Sequence, residues 1–291
     1  MASILIAGCG YVGSQLAKEL LQQGHTVSTL VQSEASKRKL EADYETIQLN
    51  LDSTDALETS LSKYDTIFYF VPPPPEGTQD TRIQCFLNAI PGHNAPDRIV
   101  MISTTGVYGD CGEDWIDETR EPQPVADRAK RRYDSEQTLA AWCQNKDVQY
   151  RILRVPGIYG PGKLPLERLK QQKPILSLQE SPWSNRIHLQ DLVQACESAM
   201  HYQGHYHEFN VSDGHPSSMS DFFIQVADAF HLPAPEQISL EACKQRFSEN
   251  MISYLTESKR INNQRMREEL GVELRYPTLK QGLAGLTQES S

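Results

Sequence analysis

Six residues near the start of the chain, Gly8-Cys9-Gly10-Tyr11-Val12-Gly13, have the types and spacing to hold a phosphate ester. Three glycines in the order G-x-G-x-x-G give a tight turn at the first, a bare backbone at the second and close packing of helix on strand at the third. The amides that open the following helix then face the bound phosphates. The pattern means little alone. Here an apolar run, Ser3-Ile4-Leu5-Ile6-Ala7, precedes it, and Leu16, Leu20 and Leu21 recur at helical spacing up to a stop at Gly24. Strand, glycine turn and helix together predict dinucleotide binding, with Gly8, Gly10, Tyr11, Val12 and Gly13 as the contacting turn.

About 20 residues past such glycines, an acid at the end of the second strand would bond the ribose 2′-hydroxyl. Gln32 and Ser33 stand there instead, after the strand-like run Thr26-Val27-Ser28-Thr29-Leu30-Val31. Without an acid, nothing repels a 2′-phosphate, and Lys37-Arg38-Lys39 lie just beyond. This favours NADP(H) over NAD(H). The same basic run also reads as a solvated helix face, and Glu34 keeps NAD(H) open.

Other residues with chemical capacity point nowhere specific. Six cysteines are scattered with no C-x-x-C pair, which fits free thiols in a reducing cytosol. His201, His205 and His207 cluster without a second set of ligands, so no metal is expected. A formal charge of -10 argues against general nucleic-acid binding. No apolar run reaches the roughly 18 residues of a membrane helix, and the first one lacks a basic leader, so neither membrane span nor signal peptide is expected.

The elements that must position the turn alternate along the chain. Further strands are expected at 45–49, 66–71, 98–103 and 150–155, with helices between, the longest over 126–144. Pro72-Pro73-Pro74-Pro75 cannot continue a ladder, and reads either as a stiff wall beside the ligand crevice or as a surface connector. Pro156 to Gly162 reads as a rigid turn. Beyond it strands are sparse: a strand at 186–189, a helix over 191–200, a strand at 207–211, then helices capped by Ser220-Asp221 and by Asn263, and a last one over 278–286. The expected fold is α/β, a Rossmann-type doubly wound parallel sheet with a smaller helix-rich C-terminal lobe. The expected division is 1–162 for the dinucleotide-binding domain, with 186–211 returning to it, and 163–291 for the substrate lobe.

Five segments in order resemble the extended short-chain dehydrogenase/reductase superfamily, the NAD-dependent epimerase/dehydratase group. They are Gly8 to Gly13, Ser103 to Gly109 (STTGVYG), Arg154 to Gly162 (RVPGIYGPG), Arg186 to Asp191 (RIHLQD) and Ser258 to Gly271 (SKRINNQRMREELG). The resemblance implies that Asp52 bonds the adenine amine and that Val71-Pro72 pass the cofactor. It places Pro156, Gly157 and Ile158 beside the nicotinamide, and Thr104 as the hydroxyl that polarises a substrate oxygen. It also implies a small polar substrate in a cytoplasmic protein and leaves a homodimer open.

The family's chemistry needs a tyrosine and, four residues later, a lysine on one helix face. Counting back eight and four residues from Glu136 gives Arg128 and Arg132. An arginine, with a pKa above about 12, is a poor proton donor. Tyr133 is five positions on from Arg128 and points about 140° away from it. The Y-x-x-x-K patterns at Tyr159–Lys163 and Tyr276–Lys280 contain Gly and Pro and read as chance. Two functions stay open. One is an NADP(H)-dependent oxidoreductase or epimerase/dehydratase-like enzyme without the usual pair. There Thr104 orients the substrate oxygen, Arg128 meets an anionic group, and Tyr108, Tyr159, Arg186 and His188 line the cleft. His188 is the candidate proton carrier near neutral pH, and an ordinary buried histidine at a strand end is the simpler reading of it. The other is a non-catalytic NAD(P)-binding redox sensor or regulatory protein.

Overall fold

The computed structural model describes residues 1–53 and 61–289. Its first elements are β1 (Ser3–Ala7), α1 (Tyr11–Gln22), β2 (Thr26–Val31), α2 (Glu34–Leu40), β3 (Glu45–Gln48), β4 (Thr66–Tyr69), α3 (Thr81–Asn88) and β5 (Arg98–Thr104). Next come β6 (Trp115–Ile116), α4 (Asp127–Lys146), β7 (Gln149–Val155), β8 (Gly157–Tyr159), α5 (Leu166–Lys170), β9 (Ile175–Leu176) and β10 (Trp183–Ser184). They are followed by β11 (Arg186–His188), α6 (Leu189–His201), β12 (Glu208–Asn210), β13 (Ser217–Ser218) and α7 (Met219–Ala229). The last are β14 (Gln237–Ile238), α8 (Leu240–Arg246), α9 (Glu249–Thr256), β15 (Arg260–Ile261), α10 (Gln264–Glu269) and α11 (Leu279–Glu289).

The chain divides into two compact units. The first comprises Met1–Val107, Pro124–Arg154 and Val193–Phe209; the second comprises Tyr108–Gln123, Val155–Leu192 and Asn210–Ser291. This differs from the expected break at 162 with a return over 186–211. The segment from Pro156 is not only a turn: β8 pairs in parallel with β11, which ties both to the second unit. The loop after β5 goes there too, because β6 pairs with β15.

The first unit is built on a seven-stranded sheet in the order β12-β7-β5-β4-β1-β2-β3. The run β3-β2-β1-β4-β5 is parallel throughout. Strand order reverses at β1, the switch point where doubly wound sheets open a crevice at the strand C-termini. Ile4 to Ala7 have no exposed surface, as expected of a central parallel strand covered on both faces. Ala7 pairs with Leu30 on one side and Tyr69 on the other, so the chain leaves β1 beside the ends of β2 and β4.

The second unit has small two-stranded pairings and, among the described residues, these two apolar clusters. One gathers Tyr159, Leu169, Val226 and Leu283, and the other Leu176, Ile238, Cys243 and Leu255. Strands of two residues carry no readable periodicity, which is why β6, β9, β10 and β13 to β15 escape a sequence reading. Two expected caps also shift. Ser218, not Ser220, accepts from the Asp221 amide at 3.0 Å, while the Ser220 hydroxyl donates to the Leu176 carbonyl at 2.6 Å. Asn263 holds the N-cap position of α10, yet its side chain donates to the Ser212 carbonyl at 2.7 Å. Among the described residues no helix is long and apolar enough to cross a membrane, and no three metal-ligating side chains gather.

Candidate functional site

The glycine turn has the geometry its spacing predicts. Gly8 has φ +89°, the left-handed region, and a Cβ there would lie 2.8 Å from the backbone of Phe70 and Val71. Only glycine lets the turn lie against the exit of β4. A Cβ on Gly13 would lie 2.8 Å from the Gly8 carbonyl oxygen and 3.1 Å from Ile6, so α1 sits as close to β1 as a helix can. Gly10, between them, would meet nothing within 4 Å. That is a bare backbone facing open space, the cradle a pyrophosphate needs. Val12 is buried under the turn, and burial pushes the Tyr11 phenol up to about 12.

Beside the turn is a cavity of about 110 Å³ lined by Gly8, Val31, Gln32, Val71, Pro72 and Arg82, among others. Gln32 is exposed at the tip of β2, and its amide donates to Asn50 and Asp52 at 3.2 and 3.1 Å. Arg82 grips Asp52 with two bonds of 2.7 Å, and this guanidinium holds the carboxyl below its usual range. A third arm of Arg82 donates to the carbonyls of Pro72 and Pro73 at 3.0 and 3.3 Å. Sequence reading missed Arg82. Its signal was a cation in the first turn of α3, where the helix dipole disfavours one.

The same polyproline segment is pinned from α4. Arg131 donates to the Gly77 carbonyl, Arg132 to the Val71 carbonyl at 3.4 Å, and Asp134 accepts from the Asp80 amide at 2.7 Å. Of the two readings of Pro72 to Pro75, the wall fits these contacts. Arg132, at the position of the expected lysine, therefore holds backbone. Desolvation pulls its pKa below that of an ordinary arginine. Arg128, at the tyrosine position, is half-buried one turn earlier. Beneath them Glu136 accepts from Ser103 and takes two bonds from Arg154, the shorter 2.7 Å, in a buried cluster that fixes α4 against β5 and β7.

Thr104 ends β5, partly buried, and its hydroxyl oxygen accepts from the Gly106 amide at 3.1 Å. Accepting leaves the hydroxyl proton available for donation. A Cβ on Gly106 would sit 3.9 Å from Ala129, so the turn after Thr104 packs on the first turn of α4, beside Arg128. The first unit thus brings together the glycine turn, Gln32, Asp52, Val71, Pro72 and the α4 arginines. The basic run beyond Gln32 is a solvated face: Arg38 pairs with Glu34 at 3.2 Å, and α2 buries no residue.

In the second unit, the four expected cleft residues are all buried. Tyr108 is 1% exposed and its hydroxyl donates to Asn210 at 2.8 Å. Tyr159 is equally buried in the apolar core, where desolvation raises its pKa well above that of a free phenol. Arg186 is buried over the Phe222 ring, donates to the Ser218 carbonyl at 3.0 Å, and is pulled down to about 10 by desolvation. His188 is 2% exposed, packed between the rings of Tyr276 and Tyr159 with centroids 3.9 and 5.1 Å away. Burial lowers its pKa to about 4, and its Nδ1 accepts from the Gln190 amide. The imidazole is thus neutral and enclosed, as an ordinary buried histidine at a strand end would be. Pro156 precedes β8 and Gly157 and Ile158 open it, with the Gly157 amide donating to the Asn185 carbonyl at 3.3 Å.

The fold recurs in solved structures. A functionally unknown conserved protein from Silicibacter pomeroyi is 25% identical, with all of each chain covered and a TM-score of 0.80. UDP-glucose 4-epimerase of Thermotoga maritima, solved with UDP-glucose, is 19% identical, covers 98% of this chain and 97% of its own, and has a TM-score of 0.81. UDP-glucuronic acid 4-epimerase of Bacillus cereus, solved with NAD, is 17% identical over 99% of both chains at a TM-score of 0.76. At such identities these likenesses concern the fold alone. No curated protein matches the chain. Residues 4–212 match the family described as NAD dependent epimerase/dehydratase, and since that span is well over half of its length, the chain belongs to this family.

Proposed function

We propose that the first unit holds an NAD(P) cofactor, with NADP(H) preferred, and that the protein is an oxidoreductase or epimerase/dehydratase-like enzyme working without the tyrosine–lysine pair. The observation that carries this reading is the bare Gly10 between two glycines that each tolerate no side chain. Gly8, Gly10, Tyr11, Val12 and Gly13 would hold the pyrophosphate, and Gln32, Asp52, Val71 and Pro72 the adenosine half. The preference for NADP(H) rests on the amide at the tip of β2, where an acid would repel a 2′-phosphate. When bound, the nicotinamide supplies hydride exchange. Thr104 would donate its free proton to a substrate oxygen, and Arg128 would meet negative charge on the substrate.

A second reading, a cofactor-binding sensor or regulator without turnover, is favoured by one observation. Arg132, where the family resemblance leads one to expect the lysine, already serves the Val71 carbonyl.

Titration of the purified protein with NADPH and NADH, followed by nicotinamide fluorescence, tests both readings together; binding of neither removes both. Turnover of carbonyl compounds or of sugar nucleotides, the ligand class present in the Thermotoga maritima structure, separates them. Under the enzyme reading, Thr104→Ala and Arg128→Ala each lower kcat by about 100-fold or more. Turnover indifferent to both substitutions places the chemistry elsewhere.

A further inference from the structure

In the second unit, well separated in sequence from the glycine turn, three side chains form an unexplained group. Arg260 Cζ lies over the ring of Trp115 at 5.6 Å and over that of Trp183 at 5.5 Å. Trp115 is 53% exposed, an unusual state for the largest apolar side chain. The Arg260 side chain makes no hydrogen bond or ion pair with any described residue, although its Nε is buried. Two of the neighbouring carboxylates are engaged elsewhere, and the third, on Asp114, is exposed. Glu113 accepts from the Trp183 indole at 2.6 Å, Asp114 lies 4.0 Å from Arg120, and Glu257 pairs with Lys259 at 3.1 Å.

The group stands on a laced scaffold of three chain segments. Arg260 and Trp115 are direct partners in the β15–β6 ladder. Ser258 ties them to β10: its hydroxyl donates to the Gly112 carbonyl at 2.7 Å and accepts from the Trp183 amide at 3.2 Å. Asn185 adds two more bonds, donating to the Lys259 carbonyl at 3.0 Å and accepting from the Ile261 amide at 2.9 Å. Four backbone groups are thus fixed to present one cation beside two indoles. Preorganisation of this kind is what a binding site requires and what a solvated surface arginine lacks.

We infer that Trp115, Trp183 and Arg260 form a binding platform for a small anion carried on a ring. With two indoles beside it, the guanidinium still offers its in-plane donors, the fork geometry that suits a phosphate or a carboxylate. The exposed Trp115 face takes the ring that bears the anion, by stacking or by contact with the apolar face of a sugar. The platform is independent of the cofactor reading, since all of its residues belong to the second unit.

Tryptophan emission in a Trp142→Phe background reports on Trp115 and Trp183 alone, because the chain has three tryptophans. The probes are glucose 1-phosphate, glucuronate and benzoate, compared with glucose, inorganic phosphate and benzamide, with no nucleotide added. At least one ring-bearing anion is expected to quench the emission saturably, at about tenfold lower concentration than the matching ring or anion alone. Arg260→Met weakens that binding by about tenfold or more, Arg260→Lys by less, and Trp115→Ala by several-fold. Should the variants fold poorly, calorimetric titration of the unmodified protein decides: the affinity falls several-fold between about 50 mM and about 500 mM salt. Absence of saturable quenching by all three anions, equal binding of the neutral rings, or salt-independent affinity overturns the platform. Failure here leaves nicotinamide binding intact, and loss of nicotinamide binding leaves this titration unchanged.

Discussion

The glycine turn of the first unit and the tyrosine–histidine cluster of the second make an instructive pair. Both carry residue types with obvious chemical use. In the turn, recognition is done by backbone, and Gly10 is open on the side where a ligand would lie. In the cluster, the groups that titrate are Tyr159 and His188, and both are sealed among rings. A phenol or imidazole acts on a substrate only if an open face remains, and in the cluster packing has taken that face. Chemistry carried by main-chain shape is visible in glycine spacing. Chemistry carried by side chains depends on exposure, which spacing does not encode.

The sharpest way to break this contrast is Gly8→Val. The new side chain meets backbone at 2.8 Å and forces a β-branched residue to positive φ. Loss of about 100-fold or more in nicotinamide affinity is expected, read by fluorescence titration with circular dichroism to check the fold. An unchanged affinity would mean that the turn contacts nothing.

The cluster is tested by pH. His188 is held near 4 against an ordinary 6.5, so the unfolded chain takes up a proton that the folded one refuses. Its contribution to stability is therefore lost as pH falls from 6.5 to 4, by up to about 3 kcal/mol. Asp213, 3% exposed, is raised by burial to about 6 from 3.8, so the folded state takes up the proton first and stability is gained through nearly the same window. The two slopes oppose each other. In thermal or urea unfolding from neutral pH to pH 4, His188→Asn should gain stability relative to the parent protein. Asp213→Asn should lose it, each by up to about 3 kcal/mol. Parallel curves for the parent and both variants would mean that the two groups are not enclosed.

Smaller effects sharpen the turn side. Arg82→Met removes the grip on Asp52 and the support of Pro72 and Pro73, and should weaken cofactor affinity by about tenfold while leaving the fold intact. Gln32→Asp should shift the ratio of NADPH to NADH affinity by about fivefold towards NADH. A constant ratio would show that position 32 does not meet the ribose.

Much of the fold was legible because its signals are local and repeated. β1, β2, β5 and β7 are long apolar runs, and G-x-G-x-x-G sits between a strand and a helix as a dinucleotide turn must. The second unit was less legible, since its order comes from distant pairings such as β8 with β11 and β6 with β15, two or three residues each. Of the candidate site, the backbone part could be read by counting, and so could the arginines at 128 and 132. What those arginines do could not. Arg82, Arg131 and Arg132 are ordinary polar helix residues in the sequence, and their carbonyl partners lie up to 61 positions away.

Arg132 bears on how easily the usual pair could be introduced. Position 132 now supports the wall after β4, and a lysine placed there would have one compact ammonium in place of a fork that reaches the Val71 carbonyl. The double change Arg128→Tyr with Arg132→Lys would therefore remove a brace in the act of adding a catalyst. A catalytic pair placed on a residue that already carries a structural duty meets an epistatic barrier, and compensating changes in the polyproline segment would have to accompany it.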